Sequence, residues 1–149
     1  MPAIATIHEF LRTARIPYTV VPRPEQEDPV AARIPGRQWA KVVVCVVDGE
    51  PIDAVVPAAL SVHLDRLLEL SGGRDIRLAG EEEEQRRRQA VFVDVSLAAE
   101  RDVVFSVGTH VDAIAIRWAD FARAVKPIVG NFAAPPRDRV PAYRLSYRE

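Results

Sequence analysis

The sequence predicts a single mixed α/β domain of the α+β class, with a central mixed sheet of about six strands flanked by helices. Three observations predict it. The length of 149 residues suits one hydrophobic core. Hydrophobic residues make up 48% of the chain, which is enough to form such a core. Short β-rich runs alternate with helical patterns and turn signals, so strands and helices interleave along the chain.

The N-terminal third predicts two helices and two strands. Apolar residues at helical spacing predict a helix over 3–14, which Pro17 ends, and the run 18–22 predicts a short strand. Pro29 suits the first turn of a second, short helix. Val42–Val47 is apolar on both faces, so it predicts a strand at the centre of the sheet.

The middle of the chain predicts a hairpin, a helix and a charged segment. Asp48-Gly49 suits the tight turn of a hairpin, with 52–57 as the returning strand. Leucines from Leu60 to Leu70 favour a helix that Gly72 closes. The block 80–88, GEEEEQRRR, predicts a short solvent-exposed helix with three i,i+4 Glu–Arg pairs.

The remaining elements are four strands and a helix. The strands are predicted at 75–79, 90–95, 102–108 and 112–118. A helix is predicted over 120–129, with its end near Pro127. From Asn131 the pattern weakens, so we place the domain at 1–132 and a Pro- and Arg-rich tail at 133–149.

The overall composition excludes several functional classes. A net charge of -1 argues against a protein that coats nucleic acid non-specifically, although one local basic site is compatible with it. The only cysteine, Cys45, lies in an apolar run and is predicted to be a buried thiol. Neither a signal peptide nor an apolar run of about 20 residues is evident, so we expect a soluble cytoplasmic protein with no membrane partner.

The familiar sequence motifs of catalysis and cofactor binding are absent. The chain has no GxxxxGK[ST] phosphate loop, no GxGxxG dinucleotide motif and no GxSxG serine motif. Its three histidines, His8, His63 and His110, form no HxxxH pair, and no CxxC pair occurs. We therefore expect no metal and no cofactor.

Two features remain as candidates for a site. Lys41 is one of only two lysines among the 20 basic residues, and it stands at the head of the central apolar strand. The segment SVGTH, 106–110, follows a strand and offers a flexible glycine, a hydroxyl and an imidazole. Each also has a structural reading: Lys41 as a strand lysine with its ammonium in water, and the Gly-Thr-His segment as a turn.

Several segments of the sequence resemble the YbaK/prolyl-tRNA-synthetase-associated domain family. The matching segments run in family order over most of residues 5–132. They are GRQWAKVVVCVVDGEPIDAVVPA (36–58), VHLDRLLELSGGRDIRLAGEEE (62–83) and VFVDVSLAAERDVVFSVGTHVDAIAIRWADFARAVKP (91–127). The resemblance implies a free-standing aminoacyl-tRNA deacylase, a carboxylic ester hydrolase. It would clear a small mischarged amino acid, such as Ala on tRNA(Pro).

The resemblance also implies site residues and partners. Lys41 matches the family's pocket lysine, which is thought to engage the acceptor-end adenosine, and Gly108 and His110 match its G-[ST]-H turn. His110 would orient a water or the ribose, or only brace the turn. The remaining members of the segment, Ser106, Val107 and Thr109, are the implied substrate-binding residues. The expected partner is the acceptor end of an aminoacyl-tRNA, with a synthetase or a translation factor as a further candidate.

The chain departs from the family pattern in two regions. The connector between the acidic segment and VFVD lacks roughly a dozen residues that the family uses near the aminoacyl group. This leaves an alternative function, a catalytically impaired module that binds an acceptor end, a nucleotide or a small molecule. The Arg- and Tyr-containing tail 137–149 would either contact acceptor-end nucleotides or pack on itself.

Overall fold

The computed structural model describes residues 15–21, 35–106 and 113–136 of the chain. The helices predicted over 3–14 and from Pro29 lie outside these residues. The described residues form a mixed sheet with helices packed against it, so the predicted mixed α/β class is confirmed.

Ten strands occur in the described residues. They are β1 (Thr19–Val21), β2 (Trp39–Val47), β3 (Glu50–Pro57), β4 (Ser61–Val62), β5 (Ile76–Leu78), β6 (Val91–Asp94), β7 (Asp102–Ser106), β8 (Ala113–Arg117), β9 (Ile128–Gly130) and β10 (Ala133–Ala134). All but β4 and β10 form one sheet in the order β1-β8-β7-β2-β3-β6-β9, with β5 pairing with β2 beside this path. The β2–β7, β3–β6 and β6–β9 pairs are parallel and the others antiparallel, so the sheet is mixed as predicted.

Four α-helices complete the described part of the chain. They are α1 (Leu64–Ser71), α2 (Glu81–Glu84), α3 (Val95–Ala98) and α4 (Trp118–Val125). A single 3-10 turn, Gly36–Gln38, leads into β2 at the predicted turn. No helix among the described residues is long and apolar enough to cross a membrane.

The central hairpin forms as predicted. Asp48 and Gly49 both have positive φ, 50° and 85°, which is the backbone conformation of the tight turns that join β-hairpins. The Asp48 carboxylate also accepts hydrogen bonds from the backbone N–H groups of Arg74 and Asp75, at 2.9–3.2 Å. The hairpin turn is thereby joined to the segment that follows α1.

The helix predicted from the leucine pattern is shorter than expected. It begins at Leu64, so Leu60 lies outside it, because Ser61–Val62 is instead paired with β10. His63 caps its first turn, and Gly72, with φ of 76°, ends it as predicted. The helix starts later than predicted because residues 61–62 pair with a distant strand, and the local spacing of the leucines does not report such pairing.

The helix predicted over the charge block is a single turn, Glu81–Glu84. None of the three predicted i,i+4 Glu–Arg pairs is present among the described ion pairs. Glu83 pairs with Arg77, and Arg88 is buried against Asp53. Partners outside the block therefore replace the local pairs, and the block is only partly solvent-exposed.

The helix predicted over 120–129 spans Trp118–Val125, so it ends near Pro127 as predicted and leaves 128–129 outside. Lys126 adopts a left-handed conformation, with φ of 54°, and Pro127 has no N–H to continue the helix. Ile128–Gly130 then forms β9 at the edge of the sheet, parallel to β6. This strand brings the sheet to eight strands in the described residues, against the predicted number of about six.

The core occupies both faces of the sheet. One face carries α3 and α4, where Phe121 packs against Phe105 with ring centroids 5.5 Å apart. The other face carries α1, which buries Leu67 beside Cys45 and Phe132. Phe132 is fully buried, and the chain continues beyond it into β10. The second face is where an open cleft remains.

Candidate functional site

Among the described residues, the central strand β2 has no paired strand along part of one side. On its other side, β3 pairs with β2 from Ala40 to Val47. On the incomplete side, β7 pairs only with Trp39 and Ala40, and β5 pairs only from Cys45 onwards. Among the described residues, no strand pairs with positions 41–44 on this side. The described part of the sheet therefore has an opening in its strand pairing at Lys41, between the end of β7 and the start of the β5 pairing.

An open cleft of about 810 Å³ lies at this opening. This volume falls within the range of about 300–1,000 Å³ that is usual for small-molecule sites. The cleft is formed by residues of β2, β4, β5 and β10, the start of α1 and the residue after β10. They are Lys41, Val43, Ser61, Val62, His63, Leu64, Asp65, Ile76, Arg77, Leu78, Ala134 and Pro135. The cleft thus combines an apolar lining with a few charged and polar groups.

Lys41 lies inside β2 rather than at its head. The strand begins at Trp39, three residues before the apolar run that starts at Val42, so Lys41 is the third strand residue. Side chains alternate between the faces of a strand, so Lys41 shares the face of Val43 and of the core residue Cys45. Lys41 is exposed, and no acidic group of the described residues lies within 4.0 Å of its ammonium group. Its charge is therefore available to a ligand in the cleft.

The other residues predicted for the site can be placed only in part. Ser106 is the last residue of β7. In the parallel pairing of β2 with β7, Trp39 lies opposite Val104 and Ala40 lies opposite Phe105. One position further along this register, the backbone of Ser106 is level with Lys41. Residues 107–110 continue from there and lie outside the described residues. The roles implied for Val107, Gly108, Thr109 and His110 stay predictions.

Four polar residues of the cleft were not predicted as site residues from the sequence: Ser61, His63, Asp65 and Arg77. His63 is the N-cap of α1. None of the four gave a sequence signal for a site, because β4, α1 and β5 come together with β2 only through the tertiary fold.

Arg77 is held in place by a second charged group. It forms a bidentate ion pair with Glu83, with Nη1 donating to Oε1 at 2.7 Å. Glu83 also accepts the backbone N–H of Gly80 at 2.9 Å. The Arg77 hydrogen bonds, followed by that of Gly80, lower the pKa of Glu83 to about 2. Arg77 is thus partly neutralised, which leaves Lys41 as the less compensated cation of the cleft.

Cys45 is a buried thiol, as predicted. Its exposed fraction is 0%, and burial, followed by the charge of Asp53, raises its pKa to about 12. A thiol with so high a pKa is not a nucleophile near neutral pH. In the described ranges, no group of three or more His, Cys, Asp or Glu side chains is placed to hold a metal ion.

Asp94 holds the segment 132–133, which precedes the cleft residue Ala134. Its carboxylate accepts hydrogen bonds from the backbone N–H groups of Phe132 and Ala133, at 2.8 and 2.7 Å, and from Ser96 N and Oγ, at 3.1 and 2.6 Å. Burial alone would raise the pKa of Asp94, but these hydrogen bonds together lower it. Asp94 therefore ties the segment that enters β10 to the end of β6, next to the cleft residue Ala134.

The short connector before β6 is held away from the cleft. Arg88 Nε donates to Asp53 Oδ1 at 2.8 Å, and both side chains are 1% exposed. The Gln89 N–H donates to the Pro51 carbonyl at 2.8 Å, and the Asp53 N–H donates to the Ala90 carbonyl at 3.0 Å. None of residues 85–90 is among those that line the cleft.

Comparison with known proteins adds evidence on the fold alone. No family model and no curated protein matches the sequence. A solved structure of a candidate trans-editing enzyme for prolyl-tRNA synthetase is similar to this chain with a TM-score of 0.68 and 16% identity, over 89% of this chain and 97% of that one. The structure of a hypothetical protein, APE2540, matches with a TM-score of 0.69 and 14% identity, over 86% of this chain and 99% of that one.

A third solved structure is a larger protein. It is a candidate signal transduction protein from Marinobacter aquaeolei VT8, with a TM-score of 0.67 and 15% identity. The match covers 90% of this chain but 31% of that one, so this fold also occurs as one part of a longer chain. At these identities the similarity establishes the shared fold, and function has to be argued from the site.

Proposed function

We propose that this protein is a trans-acting aminoacyl-tRNA editing hydrolase that clears a small mischarged amino acid, such as Ala, from tRNA(Pro). The observation that carries the proposal is the exposed Lys41 ammonium in a cleft of about 810 Å³, at the opening in the central sheet. The structural neighbour described as a candidate trans-editing enzyme for prolyl-tRNA synthetase supports the same theme through the fold.

The reaction needs little beyond positioning. An aminoacyl ester is already activated, so a water molecule can add to its carbonyl carbon without a protein nucleophile. The ester C–O bond then breaks, and the products are the free amino acid and a tRNA whose terminal ribose carries a hydroxyl. Lys41 would hold an oxygen of the terminal nucleotide, a task that suits a compact ammonium group on a flexible stem. Positioning of this kind contributes several kcal/mol to catalysis, on the order of 7–11 in the best cases.

The segment that follows β7 would complete the site. Gly108 and His110 come directly after a strand end that is level with Lys41 in the sheet. Backbone N–H groups near Gly108 would stabilise the developing oxyanion, with His110 orienting water or bracing the turn. Ser106, Val107 and Thr109 would contact the substrate. These assignments follow from the family resemblance together with the position of Ser106.

The test is hydrolysis of a panel of mischarged tRNAs, with Ala-tRNA(Pro) first. The chain offers a matched control, because Lys126 is its only other lysine and lies after α4, on the other face of the sheet. We expect turnover by the wild type and by Lys126→Met, and loss of turnover of roughly a hundredfold or more in Lys41→Met. Equal loss in both variants, or none in Lys41→Met, would contradict the proposal.

A second candidate function rests on the connector. Arg88 anchors the connector 85–90 to Asp53, and no residue of this connector lines the cleft. The connector therefore contributes no group to the site. The candidate is a module that binds an acceptor end, a nucleotide or a small molecule without turnover. Binding of a CCA-ended RNA that depends on Lys41, together with no hydrolysis of any charged tRNA in the panel, would select this function over the first.

A further inference from the structure

We propose that His63 contacts the ligand in the cleft, through a hydrogen bond from its Nε2–H to the carbonyl oxygen of the scissile ester. The inference rests on the proposed function and deepens it by assigning a second ligand-contacting group beside Lys41. It starts from three observations: the position of His63 in the cleft, the fixed backbone that carries it, and the hydrogen bond that its ring already makes.

The backbone of His63 is held on both sides. Its N–H donates to the Phe132 carbonyl at 2.7 Å, and its carbonyl accepts the N–H of Leu67 at 3.0 Å. Phe132 is itself fully buried, so the first of these bonds is tied to the core. The position of the imidazole along the cleft is therefore set by the fold rather than by a free loop.

The ring orientation follows from the cap. His63 Nδ1 accepts the backbone N–H of Arg66 at 3.3 Å. A neutral imidazole that accepts at one nitrogen carries its proton on the other, so the proton lies on Nε2. Among the described residues, no hydrogen-bond partner occupies Nε2. The Nε2–H group of His63 is therefore an available hydrogen-bond donor, on a residue that lines the cleft.

An unpaired N–H of this kind suits an oxygen that gains charge during the reaction. When water adds to the ester, the carbonyl π electrons move onto oxygen, and the tetrahedral oxyanion forms. A pre-oriented donor stabilises that oxyanion more than the starting carbonyl, which speeds the reaction. The oxyanion then re-forms the carbonyl, the ribose oxygen leaves with the bonding electrons, and the proton lost by the water ends on that oxygen. Lys41 is left to hold the nucleotide.

The N-cap role allows a variant that separates structure from function. Asn is among the preferred N-cap residues, so His63→Asn keeps the cap of α1 while the shorter side chain withdraws the donor from the cleft. We expect its urea midpoint to match the wild type, its KM to change little and its kcat to fall roughly 100- to 1,000-fold. His63→Ala, which loses both the cap and the donor, should lose stability as well as kcat.

A binding measurement distinguishes failure of this inference from failure of the proposed function. The probe is adenosine carrying alanine through a 3′-amide, which keeps the carbonyl and resists hydrolysis. Imidazole nitrogen NMR should show the Nε2–H form in the free protein and a shift of that N–H on addition of the probe.

Each outcome of these experiments has one meaning. A kcat unchanged in His63→Asn overturns the assignment, and so does an Nε2–H signal that stays unmoved at a probe concentration that shifts the signals of other cleft residues. A probe that moves no signal in the cleft overturns the proposed function, and the assignment with it. A shifted signal without hydrolysis of any charged tRNA keeps the contact and overturns the proposed reaction.

Discussion

Asp53 and Arg88 form a buried ion pair 35 residues apart in sequence, with Arg88 Nε 2.8 Å from Asp53 Oδ1 and both side chains 1% exposed. Arg88 Nη1 also donates to the carbonyl of Arg86. The pair anchors the connector that precedes β6 to the middle of the sheet. The cost of burying two charges is offset only while each has its partner, which makes the pair sensitive to single substitutions.

Removal of Arg88 alone should be strongly destabilising. Arg88→Met leaves the Asp53 carboxylate buried without a cation, and we expect the free energy of unfolding to fall by about 3 kcal/mol. The double variant Asp53→Leu with Arg88→Met removes both charges and should recover most of that loss. Arg87→Met, at an exposed neighbouring position, is the control and should change stability by less than about 0.5 kcal/mol. Urea unfolding measures all three, and equal effects at Arg87 and Arg88 would refute the anchor.

The titration of Asp53 should appear in the pH dependence of stability. Burial, opposed by the hydrogen bond and charge of Arg88, raises the pKa of Asp53 from 3.8 to about 6. The folded state therefore binds more protons than the unfolded state between about pH 4 and 6, so this contribution is present below pH 4 and is lost as pH rises through 6. At 1.36 kcal/mol for each pKa unit, the change is about 2–3 kcal/mol.

A comparison with Asp53→Asn isolates this titration. The difference in unfolding free energy, wild type minus variant, should fall by about 2 kcal/mol from pH 4 to 6.5 and stay level above pH 7. Asp94, whose pKa is lowered, acts in both proteins and cancels. A difference that rises with pH over this window would show that Arg88, and not burial, dominates at Asp53.

Asp94 is expected to control the wall of the cleft. Asp94→Ala removes the cap of α3 and leaves the buried N–H of Phe132 without an acceptor, which should cost about 3 kcal/mol. Asp94→Asn keeps an oxygen acceptor and should cost less. Hydrogen exchange gives the local measurement: the amides of Phe132 and Ala133 should lose more protection than those of β2 in the Ala variant. Uniform loss over both regions would show that Asp94 supports the whole fold rather than this wall.

Much of the fold could be predicted from the sequence because its strands and turns carry local signals. The hairpin at Asp48-Gly49 follows from two residues that tolerate positive φ, and β2 follows from six consecutive apolar residues. What failed depends on contacts between distant segments. Leu60 fits the helical period but precedes a strand that pairs with β10, and Arg88 fits an i,i+4 pair but is bound to Asp53.

The candidate site follows the same division. Lys41 was identifiable because a lysine at the start of an apolar strand is anomalous in a chain whose other basic residues are almost all arginine. The cleft around it is built by α1, β4 and β5, which reach β2 through long-range packing. No sequence pattern marked His63 as a site residue. Its place in the same cleft as Lys41 depends on the pairing of β4 with β10, which no local pattern contains.

Lys41 should also determine the salt dependence of nucleic-acid binding. If Lys41 neutralises one phosphate of a single-stranded CCA end, Lys41→Met should reduce the slope of log K against log salt by about 0.7. Lys126→Met should leave the slope unchanged, because Lys126 is not among the cleft residues. Fluorescence anisotropy with a labelled CCA-ended RNA over about 50–200 mM salt measures the slope. Equal slopes for the wild type and Lys41→Met would remove Lys41 from the phosphate contacts.

The packing of α1 on the sheet predicts that a side chain at Gly130 would force Leu70 to move. A Cβ at Gly130 would collide with Cδ2 of Leu70 and lie 3.0 Å from its Cδ1, between α1 and the end of β9. Gly130→Ala should therefore cost about 1–3 kcal/mol, the usual range for overpacking. Gly36→Ala is the matched control: Gly36 has no atom within 4 Å of a built Cβ, so stability there should stay within about 0.5 kcal/mol.

A double variant shows whether Leu70 is the cause. In a Leu70→Ala background the added methyl has room. Gly130→Ala should therefore lower the free energy of unfolding by at least about 1 kcal/mol less than it does in the wild type, a difference of the size expected for two residues in contact. Urea unfolding of the four proteins of this cycle gives the coupling energy directly. Full additivity would mean that contact with Leu70 is not what makes Gly130→Ala destabilising.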